Sequence, residues 1–145
     1  MTLENLARIG RLKAHAADER EIARLLESTD RALRDAAIAQ LSTDARLDLA
    51  YKGMMQAALA AMLASGYRPA TSEPGHHQVV LQALPKTIGA TPERVRVLDA
   101  FRKARNQSDY RGVPVSDAVA QECIEEARRL LVDVRAWIEA RRPLK

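Results

Sequence analysis

The chain holds one cysteine, Cys123, in 145 residues. No intrachain disulfide is possible, and a reducing, cytoplasmic setting is the natural expectation. Aromatic residues make up only 3% of the sequence, so the core has to come from Leu, Ile, Val, Ala and Met. Glycine and proline number six each and fall mostly between periodic segments, where they punctuate rather than break. No glycine-rich phosphate loop, zinc motif or hydrolase nucleophile elbow is present, which removes the commonest signatures of nucleotide and acyl hydrolases. No Cys or carboxylate stands at ligand spacing beside the His76-His77 pair, so no metal and no cofactor is expected. The most apolar run, Leu47 to Ala64, is interrupted by Asp48, Lys52 and Gln56 and reads as a buried helix rather than a membrane span. Met1-Thr-Leu-Glu4 has no apolar run behind it, so neither a signal peptide nor a membrane partner is expected. No alternation of period two persists, and no internal repeat is visible.

What remains is helical periodicity. Thr2 can cap a short helix over 2–12, with Leu3, Leu6, Ile9 and Leu12 on one side. Lys13 to Ala17 reads as a connector that leaves His15 at the surface. Asp18 caps a helix over roughly 19–40, striped by Ile22, Leu25, Leu26, Leu33, Ala36, Ala37 and Leu41. Ser28-Thr29-Asp30 is expected to bend or split it, since these side chains compete for backbone bonds. Ser42-Thr-Asp44 opens a helix over 44–65 that is apolar on most sides, so it should be the most enclosed element. Gly66 stops it, Pro69 confirms the stop, and 66–75 forms the longest loop.

A fourth helix is expected over 76–85. Thr91-Pro92-Glu93 starts a fifth with a hydroxyl cap, proline at the first position and an acid near the positive dipole end. This helix is expected to end near Asp109, with Tyr110 where it frays. Ser116 caps the last, over 117–141, on which Val119, Cys123, Ala127, Leu130, Val134, Trp137 and Ile138 hold a steady period, and Pro143 closes it. Cys123 on that stripe reads as a buried, inert thiol. The fold expected is all-α: a single domain over 1–145, built as an up-and-down bundle of four or five main helices.

The net charge is +4, which permits an anionic partner without requiring one. Acids and bases alternate over most of the chain, but Arg94, Arg96, Arg102, Lys103, Arg105 and Arg111 face only Asp99 and Asp109 within 94–111. That local excess points to a phosphate-bearing ligand. Leu98, Phe101 and Arg105 fall at i, i+3 and i+7 on one face. An arginine on an otherwise apolar face must hold its charge against a partner or line a wet groove. Arg105, Asn106 and Tyr110 therefore read as a polar patch set in an apolar surface. Arg105 and Asp109 also have the i, i+4 spacing of a plain surface ion pair, worth about 0.3–0.5 kcal/mol.

The pattern Arg105-Asn106-x-x-x-Tyr110, late in an all-helical chain of this size, resembles the HEPN superfamily. Many of its members carry Arg, a polar residue, a short spacer and His at this place. Gly66-Tyr-Arg-Pro69 followed by Gly75-His-His77 also resembles a loop found in a HEPN-like subgroup with Arg-Asn-x-x-Asp-Tyr. The resemblance implies a HEPN-like bundle, usually a homodimer with both motifs in one cleft. It implies metal-independent RNA cleavage, with Arg105 stabilising charge as the 2′-hydroxyl attacks the adjacent phosphate. A nucleotidyltransferase-type antitoxin is the partner implied by the toxin members. Tyr110 stands where the histidine would be. A phenol with a pKa of about 10 is a poor base at neutral pH unless a cation such as Arg105 or Arg111 lowers that value, although it can donate to phosphate or stack on a base. In some toxins a tyrosine just after the histidine is adenylated, but here Gly112 occupies that place, so the carry-over fails unless Tyr110 itself is the target. His76 and His77 open a helix where an anion can be met, and one of them can supply the missing base. Arg102, Asp109 and Arg111 complete the expected binding set with His76 and His77. The alternatives are a non-catalytic HEPN module that binds nucleotide or a partner nucleotidyltransferase, and a purely structural helical dimer.

Overall fold

The computed structural model describes residues 1–72 and 75–141, and among these it is an all-α bundle with one short β-ladder. In chain order the elements are α1 (Leu3–Arg8), β1 (Leu12–Ala14), α2 (Glu19–Ala36), α3 (Thr43–Ala64), β2 (Tyr67–Pro69), α4 (His76–Gln82), a single 3-10 turn (Leu84–Lys86), α5 (Pro92–Arg111) and α6 (Asp117–Arg141). The caps expected from sequence are in place. Thr2, Asp18, Ser42 and Thr91 accept from the backbone N–H three residues on, satisfying donors that a helix start otherwise leaves open. The closing role expected of Pro143, and the Glu73-Pro74 part of the long loop, lie outside the described residues. No described helix is long and apolar enough to cross a membrane.

α3 is the central rod. It packs most extensively on α2 and α6, and it also touches α4, α5 and β2. Leu47, Ala50, Met54, Ala57, Ala58, Ala60, Ala61 and Met62 are all buried along it, which is why this helix needs no polar face. Alanine on several sides lets neighbours come close. At Gly53 a methyl group would meet Cδ2 of Leu33 at 3.2 Å and Cγ at 3.3 Å. Cys123 is buried between α6 and this core, and burial, then Glu126, pushes its thiol up to about 12.

Three expectations change. α2 is not split at Ser28-Thr29-Asp30 and runs unbroken from Glu19 to Ala36. The Thr29 hydroxyl lies 3.0 Å from the carbonyl oxygen of Leu25 and 3.1 Å from that of Gly53. It spends its proton on carbonyls of its own and the neighbouring helix, so it does not compete for helical N–H groups. Asp30 meanwhile reaches Arg135 on α6 at 2.8 Å. The same helix ends at Ala36, short of the expected 40.

The second change is that α1 ends at Arg8 and the segments read as connector and loop pair as strands. Leu12, Lys13 and Ala14 lie opposite Pro69, Arg68 and Tyr67 in antiparallel register. The ladder extends at each end through His15 N–H to Gly66 O (2.9 Å) and Ala70 N–H to Arg11 O (3.0 Å). Gly66 at φ 93° allows the sharp exit from α3 that starts it. Three residues per strand are too few for a visible alternation.

Third, α5 does not stop near Asp109. It runs to Arg111 and is closed by Gly112 in the left-handed region, with Gly112 N–H on Ser108 O and Val113 N–H on Gln107 O.

Candidate functional site

α5 lays Leu98 and Phe101 into the core, both buried, and the same stripe carries Arg105 to the rim. There the guanidinium sits 5.3 Å from the centre of the Tyr51 ring, contributed by α3, within the range of a cation–π contact. The Tyr51 hydroxyl lies 3.1 Å from Nδ1 of His77 on α4. His76 meets His77 edge to face, with ring centroids 4.7 Å apart. Three helices thus bring a cation, a phenol and two imidazoles together.

Two depressions meet at this cluster. One of about 240 Å³ is lined by Tyr51, His76, His77, Gln78, Arg102 and Asn106. Another of about 570 Å³ contains Asp48, Tyr51, Gln56, His76, His77 and Arg105. They share Tyr51, His76 and His77 as lining, so the groove they make lies where α3, α4 and α5 meet.

Arg105 is held but not fully engaged. Its Nε is 2.8 Å from Asp109 Oδ2 and 3.9 Å from Asp48 Oδ1. The nearer contact is an ion pair without an aligned hydrogen bond, since Nε is buried with no acceptor in line. No hydrogen bond from either Nη is found among the described residues. Gln56 Oε1, on the same groove, is likewise buried without a partner. Buried polar atoms are normally satisfied; Arg105 Nε has the Asp109 carboxylate beside it, whereas Gln56 Oε1 has no partner among the described residues.

The electrostatics follow from crowding. The Tyr51 phenol is pushed up to about 12, first by burial, with Arg105 and Arg102 pulling the other way, so it stays protonated at neutral pH. His77 is held below its ordinary value by partial burial and then by His76, Arg105 and Arg102. It is therefore neutral near pH 7. Asp48 is raised by burial and then by Asp109, as expected for two carboxylates sharing one guanidinium. Asp99 is held below the usual carboxylate range, chiefly by the Arg102 hydrogen bond of 2.6 Å.

Of the residues picked out in sequence, the groove collects Arg105, Asn106, Arg102, His76 and His77. Asp109 serves as the ion-pair partner of Arg105, so the plain i, i+4 pair is real. Tyr110 is a correction. Because α5 continues through it instead of fraying, the phenol turns about 140° from Arg105 and is 80% exposed. Arg111 is exposed on that distal turn. The cationic excess of 94–111 is also more compensated than its sequence suggests. Arg94 pairs with Asp133 of α6 at 2.7 Å, Arg96 with Glu93, and Arg102 and Lys103 with Asp99. His15, expected free at the surface, lies 2.9 Å from Glu21.

Sequence reasoning missed Tyr51 and Asp48 as site residues. Tyr51 is a regular member of the α3 apolar stripe, and only its hydroxyl distinguishes it from core. No group of three or more His, Cys, Asp or Glu residues among those described is placed to hold a metal ion. No protein-family model matches the chain, and no curated protein matches it.

Proposed function

We propose that this is a HEPN-like protein that binds RNA or a nucleotide through Arg105, with His77 in the role first expected of Tyr110. One observation carries this reading: the Arg105 guanidinium lies over the ring of a buried phenol, the His77 imidazole meets the hydroxyl of that same phenol, and both line one depression. A guanidinium suits phosphate because it forks onto two oxygens and stays charged. In the tautomer whose Nδ1–H donates to the Tyr51 oxygen, Nε2 of His77 keeps its lone pair. That nitrogen takes the proton of a 2′-hydroxyl. The 2′-oxygen then bonds to phosphorus, and the bond from phosphorus to the 5′-oxygen breaks. The departing oxygen takes a proton from solvent, which leaves a 2′,3′-cyclic phosphate and a 5′-hydroxyl. Arg105 stabilises the extra negative charge that builds up on the phosphoryl oxygens. The homodimer and the nucleotidyltransferase-type antitoxin implied by the HEPN resemblance belong to the same proposal.

A second reading, a module that binds but does not cut, is favoured by the two carboxylates on Arg105, which a phosphate has to displace. One assay separates the two. Purified protein is incubated with structured RNA in EDTA, alongside Arg105→Ala and His77→Gln variants whose fold is checked by circular dichroism. Cleavage that survives chelation and is lost in both variants supports the endoribonuclease. Salt-dependent RNA or ATP affinity without cleavage, weakened by Arg105→Ala, supports the binding module. If Arg105→Ala alters only melting temperature or self-association, neither holds and a structural dimer remains.

A further inference from the structure

The groove does not end at Arg105. Its wall residues Gln56, Leu59, Pro69 and Thr71 also line a further depression of about 470 Å³, which contains His15, Glu21, Arg24, Ser28 and Arg68. Along α3 the lining of the two depressions runs from Asp48 through Tyr51, Lys52, Met55, Gln56 and Leu59 to Leu63, with Gln56 and Leu59 common to both. That is one helix face of about 22 Å at 1.5 Å per residue, long enough for several nucleotides of extended single strand.

The charges at the far end differ from those on α5. There, all but Arg111 of the basic residues have carboxylate partners. At the far end, Arg24 and Arg68 have no ion pair among the described residues, and neither has Lys52 on the way. Arg68 makes one long contact, 3.4 Å from Nη1 to the carbonyl of Pro69. The β-ladder register also sets Lys13 directly opposite Arg68, on the face away from buried Leu12. Directly opposed like charges destabilise an antiparallel pair. Among the described residues lining that depression the one carboxylate, Glu21, is occupied by His15. An anion held beside Arg68 would relieve that repulsion.

We propose that Arg24, Arg68 and Lys13 form a second phosphate subsite, which holds the backbone of a single-stranded RNA whose reacting phosphate lies at Arg105. This rests on the reading above that the groove takes RNA. The ladder is then the device that fixes the subsite, because pairing of β1 with β2 sets Lys13 opposite Arg68, which itself lines the far depression beside α3. Specificity follows: a dinucleoside monophosphate reaches only Arg105, whereas a longer strand reaches both ends.

The test measures binding of a fluorescent single-stranded oligoribonucleotide over a salt series, together with competition by the dinucleoside monophosphate UpA. The variants are Arg24→Glu/Arg68→Glu, Arg24→Lys/Arg68→Lys and Arg105→Ala, each checked for fold by circular dichroism. The expected result is that the Glu pair weakens the long strand at least tenfold and leaves UpA unchanged. It should also flatten the salt dependence by about 1.4, at roughly 0.7 per phosphate contact on a single strand. The Lys pair should restore most of that loss. If the Glu pair fails to fold, Arg24→Glu alone, on an exposed helical position, replaces it. Long-strand affinity and salt slope unchanged in the Glu variants, with Arg105→Ala still damaging both ligands, overturn the subsite and leave the function standing. Loss of neither ligand in Arg105→Ala overturns the function, and the subsite with it.

Discussion

The hydroxyl of Tyr51 and Nδ1 of His77 are 3.1 Å apart, a contact that ties the central helix to the start of α4 at the one place where Arg105 arrives from α5. Tyr51 is otherwise buried. Among the described residues its hydroxyl has one hydrogen-bond partner, the group that takes the proton in the proposed reaction. Substituting Tyr51→Phe should cost about 1 kcal/mol of stability, free the choice of His77 tautomer and lower RNA cleavage or affinity. Tyr110→Phe should leave stability and function unchanged, because that phenol faces solvent. Urea unfolding and the RNA assay on the two variants provide the comparison.

The titration of His77 gives a pH dependence of known sign. Its native pKa lies below the ordinary histidine value of about 6.5. As pH falls through that value the unfolded chain takes up the proton first. The stability tied to neutral His77 is therefore complete above about pH 6.5 and is lost on the way down to the native pKa. His77→Gln should flatten this part of the stability profile, read as urea midpoints on either side of that pH. A phosphate seated on Arg105 should raise the His77 pKa, which proton NMR of the ring resolves.

Asp48 competes for Arg105 at a cost to itself. Burial and Asp109 both raise its pKa, so its charged form is unfavourable in the folded chain. Asp48→Asn should stabilise the protein slightly at neutral pH and tighten phosphate binding, since one fewer carboxylate has to be displaced. The stability gain should fade as pH falls through the native Asp48 pKa, where the wild-type side chain becomes neutral as well. Thermal melts with and without inorganic phosphate, at neutral and acidic pH, test both statements.

The α2–α3 seam makes a prediction independent of function. Thr29→Val removes a hydroxyl that lies against two carbonyls and should cost about 1 kcal/mol. Gly53→Val forces a branched side chain against Leu33, already 3.2 Å from the first added carbon, and should cost about 1–3 kcal/mol. The positions are neighbours across one seam, so the double variant should depart from additivity. Equilibrium urea curves measure all three.

Local chemistry made much of this chain legible in advance. The caps at Thr2, Asp18, Ser42 and Thr91, the stop at Gly66 and the enclosure of α3 each depend on residues within a few positions of one another. The same holds for Arg105, whose placement on the Leu98–Phe101 stripe needs only the helical period. Tyr110 failed for a related reason. A helix end is set by the balance of several weak preferences, and moving it by two residues turned the phenol to the other side.

The amino-acid order alone settled which stretches carry the helices, though not where α1, α2 and α5 end, along with which faces are apolar and where an unexpected guanidinium meets the core. Those properties are governed by backbone geometry and by neighbours three or four positions away. Only the packed chain decided what surrounds that guanidinium: Tyr51, Asp48 and His77 are 28 to 57 positions distant in the numbering and meet it because α3, α4 and α5 converge. The same holds for the opposition of Lys13 and Arg68, which exists because two three-residue strands, too short to announce themselves, pair across the fold.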